Sequence, residues 1–220
     1  MSLTQTERVF GSVHETAIND FLSAFFTARP RYLHYSSSTS LLPPGTPFIA
    51  VPSIAFPGVP TGGIDYAVSF ELPTVDINPD SSGGASPLPP GAQQFTVKTK
   101  VTLTVGCFQR RGLGRRENNF VLTPITAELD VFGRGGLVLA AIGTGAGTVG
   151  FVVQEVELVD VTPDPLESVL ECLIRTMLQG ALSNLQIPIE TLLLGAIPFP
   201  MTLVRGPLAE VDAASVFANL

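Results

Sequence analysis

The stretch from Thr148 to Ile189 constrains the fold of this chain more than any other. A β-branched run, TVGFVVQEVELVDV, leads into DPLESVLECLIRTMLQGALSNLQ, which stops at IPI. Asp164 suits an N-cap, Pro165 the first helical position and Glu167 the third, which is capping-box spacing. The helix so predicted covers 164–186. Along it Leu166, Val169, Leu170, Leu173, Ile174, Met177, Leu178, Ala181, Leu182 and Leu185 recur at steps of three and four. A stripe that wide exceeds what one covered face requires, so protein or ligand is expected on at least two sides. Long strands joined to so apolar a helix predict a sheet wrapped around it.

A second helix is predicted over 4–27. Thr4 and Glu7 repeat the capping-box spacing, and Phe10, Val13, Ala17, Ile18, Phe21, Leu22 and Phe25 form one apolar stripe that Pro30 ends. Residues 32–63 are rich in Pro and Ser, which argues against a regular helix or a central strand. Phe48, Ile49, Ile54 and Phe56 are too apolar for a free linker, so a coil packed along the domain is expected.

Over 64–161 the period becomes two. Ile64, Tyr66, Val68, Phe70 and Leu72 alternate with polar or small residues. So do Phe95, Val97, Thr99, Val101, Leu103, Val105 and Cys107, and then Ile125, Ala127, Leu129 and Val131. Such alternation marks half-buried antiparallel strands. Residues 137–142 and 148–161 complete the set, and the apolar tail 187–220 is expected to be partly strand. No helix separates the strands, which disfavours parallel winding. The predicted fold class is therefore α+β. One domain spans 1–220, with a long, strongly curved antiparallel sheet around a long C-terminal helix, plus an N-terminal helix.

Charged residues make up 14% of the chain, and Lys98 and Lys100 are its only lysines. Soluble domains run near ~25% charged. A chain with so little material for a wet exterior either lines an internal cavity or covers its outside with partners or copies of itself. The net charge of −7 speaks against nucleic acid as the main partner. Cys107 and Cys172 are too few for a disulfide framework and read as small buried hydrophobes. The start MSLTQTERVF lacks a secretory signal, and no run reaches the ~18 apolar residues of a spanning helix. A cytoplasmic location is expected.

Chemical motifs are sparse. Gly145, Gly147 and Gly150 spell G-x-G-x-x-G, but strand rather than helix follows, so the dinucleotide reading gives way to a hairpin turn. His14 and His34 stand near no recognisable nucleophile or zinc set, so neither catalysis, metal nor cofactor is expected. Glu155, Glu157 and Asp160 read as a solvated strand face, though Glu155 and Glu157 share a side as paired acid–base catalysts would. Arg110, Arg111, Arg115 and Arg116 cluster in one predicted hairpin tip. There they either keep a turn soluble or meet an anionic head group or acidic partner.

The strand VGFVVQEVELVDV, the helix DPLESVLECLIRTMLQGALSNL and the following LQIPIETLLLG, in this order after an N-terminal helix, a coil and a strand meander, resemble the tubular lipid-binding (TULIP) superfamily. That superfamily includes bactericidal permeability-increasing, takeout-like and synaptotagmin-like mitochondrial lipid-binding domains. The resemblance implies an apolar tubular cavity for a fatty acid or phospholipid-like ligand, without catalysis. Its expected lining is Phe21, Phe25, Phe70, Val101, Leu103, Phe151, Leu170, Leu173, Met177 and Leu178. The same side chains would equally fill a dry core. The competing expectation is a structural or assembly component that uses this fold as a rigid protein-interaction module.

Overall fold

The computed structural model describes residues 9–58, 62–77, 88, 93–109, 122–140, 148–159, 164–188, 202–210 and 212–219. In chain order its main elements are β1 (Val9–His14), α1 (Glu15–Ala28), β2 (His34–Ser36), β3 (Ile49–Ala50), β4 (Ile54–Ala55), β5 (Gly62–Phe70) and β6 (Thr74–Ile77). They continue as β7 (Gln94–Gln109), β8 (Ile125–Ala140), β9 (Thr148–Leu158), α2 (Asp164–Leu182), β10 (Gln186–Pro188), β11 (Thr202–Glu210) and β12 (Ala213–Asn219). Among the described residues the fold is mixed, with two α-helices and sheet that is antiparallel except where β2 meets β3. Where the sequence suggests one domain, the chain divides into two compact units. One is Met1–Leu22, Thr74–Lys98 and Phe132–Leu220, and the other is Ser23–Pro73 and Thr99–Val131.

In the first unit, α2 packs on β9, and the strand order is β10-β9-β8-β7, with β6 also paired to β7. Burial sorts by the alternation of each strand. Phe95 and Val97 of β7, Val75 and Ile77 of β6, and Phe151, Val153, Val156 and Leu158 of β9 all turn inward. They share the core with Ile174, Met177, Leu178, Ala181 and Leu182 of α2, and Phe95 meets Phe151 edge to face at 5.4 Å. Each such aliphatic side chain contributes about 1.5–3 kcal/mol of transfer free energy. Gln179 ties the helix to the strand: its Oε1 accepts the Val153 N–H at 2.6 Å, and its Nε2 donates to the Phe151 carbonyl at 3.3 Å. A separate three-stranded sheet, in order β1-β12-β11, joins the two ends of the chain.

In the second unit the order is β8-β7-β5-β2-β3, with β4 added to β5. β2 is only three residues long, yet it pairs antiparallel with β5 and parallel with β3.

Several expectations are corrected. Residues 9–14, predicted as the first turns of a helix over 4–27, form β1, and α1 begins only at Glu15. The reason is a distant partner: Val9–His14 lies in full antiparallel register with Ala213–Ala218, which no local pattern reveals. The coil 32–63 contains an internal strand, β2, within a stretch whose proline content argued against one. The two predicted strands 125–131 and 137–142 are one, β8, running straight through FGRGG. Gly135 breaks no strand because it makes room for one: a Cβ there would collide with the Val152 carbonyl and come within 2.6 Å of Phe95 Cζ.

The C-terminal helix ends at Leu182 rather than 186, where Ser183 Oγ and Asn184 Nδ2 donate to the Gln179 and Gly180 carbonyls. It is not enclosed either. Ser168, Val169, Cys172, Arg175, Thr176 and Gly180 are exposed, so one flank of α2 is wet. The breadth of its apolar stripe misleads because Val169 is 65% exposed. The tail 187–220 does contain strand, as expected, in β11 and β12. Among the described residues no helix is long and apolar enough to cross a membrane.

Candidate functional site

The expected lining residues are divided between the two units. Phe21, Phe151, Leu170, Leu173, Met177 and Leu178 belong to the first unit, and Phe25, Phe70, Val101 and Leu103 to the second. Phe21 is 42% exposed, so it lines no enclosed interior. Met177, Leu178 and Phe151 are buried, and Leu178 lies over Gly133 of β8 beside Val97, which makes them core. Leu170 and Leu173 are half-buried.

The second unit holds the more telling arrangement. In the β5–β7 register Phe70 faces Val101, Val68 faces Leu103, Tyr66 faces Val105 and Ile64 faces Cys107, so these side chains share one side of the sheet. Thr104 and Thr126 hydrogen-bond through their hydroxyls at 3.2 Å on the opposite side. By alternation Ile125, Ala127 and Leu129 of β8 therefore join the apolar side.

This side is covered at one end and open at the other. Phe70, Val68, Val101 and Val131 are buried, and Tyr35 closes over Phe70 edge to face at 6.1 Å. Burial, with Tyr32 nearby, pushes the Tyr35 hydroxyl up to about 12. Toward the other end Ile64, Val105, Cys107 and Leu129 are only half-buried, Ala127 is exposed, and Ile125 is 75% exposed. The sequence singled out Phe70, Val101 and Leu103, which form the closed part. It missed Ile64, Val105, Cys107 and Ile125, because alternation marks an apolar side without saying whether anything covers it.

The reverse side of β5 is polar and covered by the Ser-rich segment. The Asp65 carboxylate is 3% exposed, and its Oδ1 accepts from the Ser37 hydroxyl at 2.9 Å and from the Ser53 hydroxyl at 2.5 Å. Ser37 Oγ in turn accepts the Tyr66 N–H at 2.9 Å. Ser37 of the SSS run and Ser53 further along the segment thus supply the partners that a buried carboxylate requires.

His34 Nδ1 lies 3.1 Å from Ser69 Oγ, its direct cross-strand neighbour. Burial lowers the imidazole pKa, favouring the neutral ring. His14 ends β1 rather than a helix face, with Nδ1 3.0 Å from Thr16 Oγ1. Cys107 is half-exposed and Cys172 exposed, which corrects the expectation that both are buried. Gly150 sits in β9, opposite Gln186, as a strand residue, whereas Gly145 and Gly147 lie outside the described residues. Arg110, Arg111, Arg115 and Arg116 also lie outside them, as does Asp160.

Glu155 pairs with Arg134, while Glu157 joins Glu167 and Glu171, their carboxylate oxygens all within 4.8 Å of one another. Burial, then repulsion from Glu171, Glu167 and Glu155, raises the Glu157 pKa. A second trio is Glu15, Asp76 and Asp212, in which Glu15 Oε2 accepts the Ile77 N–H at 3.1 Å. Oxygen-only sets of this kind suit a hard cation such as calcium.

No family model matches this chain, and no curated protein matches it. Among solved structures it is similar to the crystal structure of a lipopolysaccharide binding protein, at 12% identity and a TM-score of 0.41. The match covers 96% of this chain and 49% of the other, so the chain spans about half the length of that structure.

Proposed function

We propose that this protein binds a lipid or other hydrophobic small molecule on the open apolar end of the second unit's sheet, and that it does so without catalysis. One observation supports this above the rest. A single sheet side runs from the buried Val101 to Ile125 at 75% exposure while staying apolar throughout. An open apolar surface continuous with a core is what a hydrophobic ligand fills. Ten buried methylenes would supply on the order of 8 kcal/mol before ordering costs. No acid, base or nucleophile is needed.

Cys107 lies on this side and provides the test. In the Cys172→Ser background, palmitate is expected to slow alkylation of Cys107 by iodoacetamide, and Ile125→Asp to abolish the protection. Equal alkylation rates with and without palmitate would sink the proposal. A second reading, a structural or assembly component, is favoured by Val169, which is 65% exposed on α2 of the first unit. It expects a concentration-dependent rise in mass by light scattering, and a constant monomer mass would count against it.

A further inference from the structure

Acidic residues outnumber basic ones by 19 to 12 in this chain, yet none occurs between Phe21 and Ile64, where the only charged side chains are Arg29 and Arg31. The fold gathers both at one place. Arg29 follows the last residue of α1, and Arg31 lies in the 3-10 turn (Pro30–Leu33) that leads into β2. Phe25 and Tyr32 stack with ring centroids 5.7 Å apart and planes 23° from parallel. The Arg29 guanidinium lies over Phe25 at 5.2 Å from its centroid, and that of Arg31 over Tyr32 at 4.9 Å. Arg31 Nη2 also donates to the Tyr32 hydroxyl at 3.0 Å.

Both arginines are exposed, and among the described residues neither has a carboxylate partner. A guanidinium stacked on a ring keeps its N–H edge free for an anion while its orientation is fixed in advance. The surroundings are apolar: Ala28 and Pro30 are exposed, and Phe25 and Tyr32 half-buried. Leu72, 47% exposed, leaves β5 at this same end, because Ser69 pairs with His34 just after the turn. Among the described residues Glu71 shares this end; its N–H bonds the Lys100 carbonyl, and that lysine is exposed across from it. The balance here is positive in a chain that is negative overall.

We infer that the turn from α1 into β2, carrying Phe25, Arg29, Arg31 and Tyr32, is the surface by which this protein docks on an anionic phospholipid membrane. The two guanidiniums are held on different rings, with apolar and aromatic groups around them. That spread suits the array of phosphates on a bilayer, into which Leu72, Pro30 and the ring edges can settle, better than it suits one soluble phosphate. The inference stands apart from the ligand proposal, since Cys107 protection is read with no vesicle present.

Co-sedimentation of the full chain with vesicles tests it. The protein is expected to partition onto phosphatidylcholine vesicles containing about one third phosphatidylserine, and not onto phosphatidylcholine alone, with binding falling as salt is raised. The pair Arg29→Gln and Arg31→Gln removes two cations and should weaken partitioning roughly 10- to 30-fold. Arg175→Gln, at an exposed position of α2, should leave it unchanged. Absence of binding to the anionic vesicles, equal binding to neutral ones, or an undiminished double variant would each overturn the inference. Each single variant, Arg29→Gln or Arg31→Gln, should weaken partitioning about 5-fold, and undiminished binding by both would overturn the inference even if the double variant fails to fold.

Discussion

At the scale of single residues, Asp65 shows how this protein uses serine. A carboxylate in the middle of a strand, on a side that ends up covered, would be costly without partners. Ser37 and Ser53 both donate to it, so the Ser-rich segment is bound to β5 by a buried polar contact as well as by its apolar residues. Asp65→Ala should therefore lower unfolding stability by about 1–2 kcal/mol, because the half-buried hydroxyls of Ser37 and Ser53 lose this acceptor. A urea midpoint unchanged from the parent would refute this. The sequence contained both halves of the contact but nothing that joined them. Twelve residues separate Ser53 from Asp65, twenty-eight separate Ser37 from it, and only the pairing of β5 with both β2 and β4 brings all three together.

Among the elements, α2 and β9 are held by more than apolar burial. Gln179 satisfies a strand amide and a strand carbonyl at once, beyond the short span where β10 pairs with β9. Gln179→Ala leaves the Val153 N–H without its acceptor in a part-buried setting. A loss of about 1–2 kcal/mol is expected, read as faster hydrogen exchange at Val153 together with a lower unfolding midpoint. Protection at Val153 equal to the parent would contradict the role given to this side chain. The helix period revealed which residues of α2 are apolar. It did not reveal that Val169 faces water, since a helical stripe reports composition around an axis and a packing partner decides coverage. β8 failed differently: FGRGG reads as a break, and it is continuous strand because Phe95 occupies the space a Cβ would need at Gly135.

Across the whole molecule, two titrations act in opposite senses. Burial lowers the His34 pKa, so the folded chain resists protonation there. Its contribution is present above 6.5, the ordinary imidazole value, and is lost as pH falls below it. Glu157 is raised, so the folded chain holds that proton more tightly than the unfolded one. Its contribution is present below 4.5 and is lost as pH rises through the raised value. Urea midpoints across pH should accordingly show His34→Gln flattening the decline below 6.5, and Glu157→Gln raising stability near neutrality but not in acid. Parallel pH profiles for parent and variants would contradict both assignments.

The amino-acid order by itself determined where the chain alternates and where it turns helical, since those periods follow from backbone geometry alone. β5, β7 and the start of β8 were legible in this way, as was the approximate span of α2. Only the tertiary structure decided that Val9–His14 is a strand, because its partner lies at the far end of the chain. It alone decided, too, that Ile125 and Cys107 stay open while Val101 is sealed. Water is excluded from an apolar side chain by whatever neighbour comes to rest on it, and that neighbour is written nowhere in the local pattern.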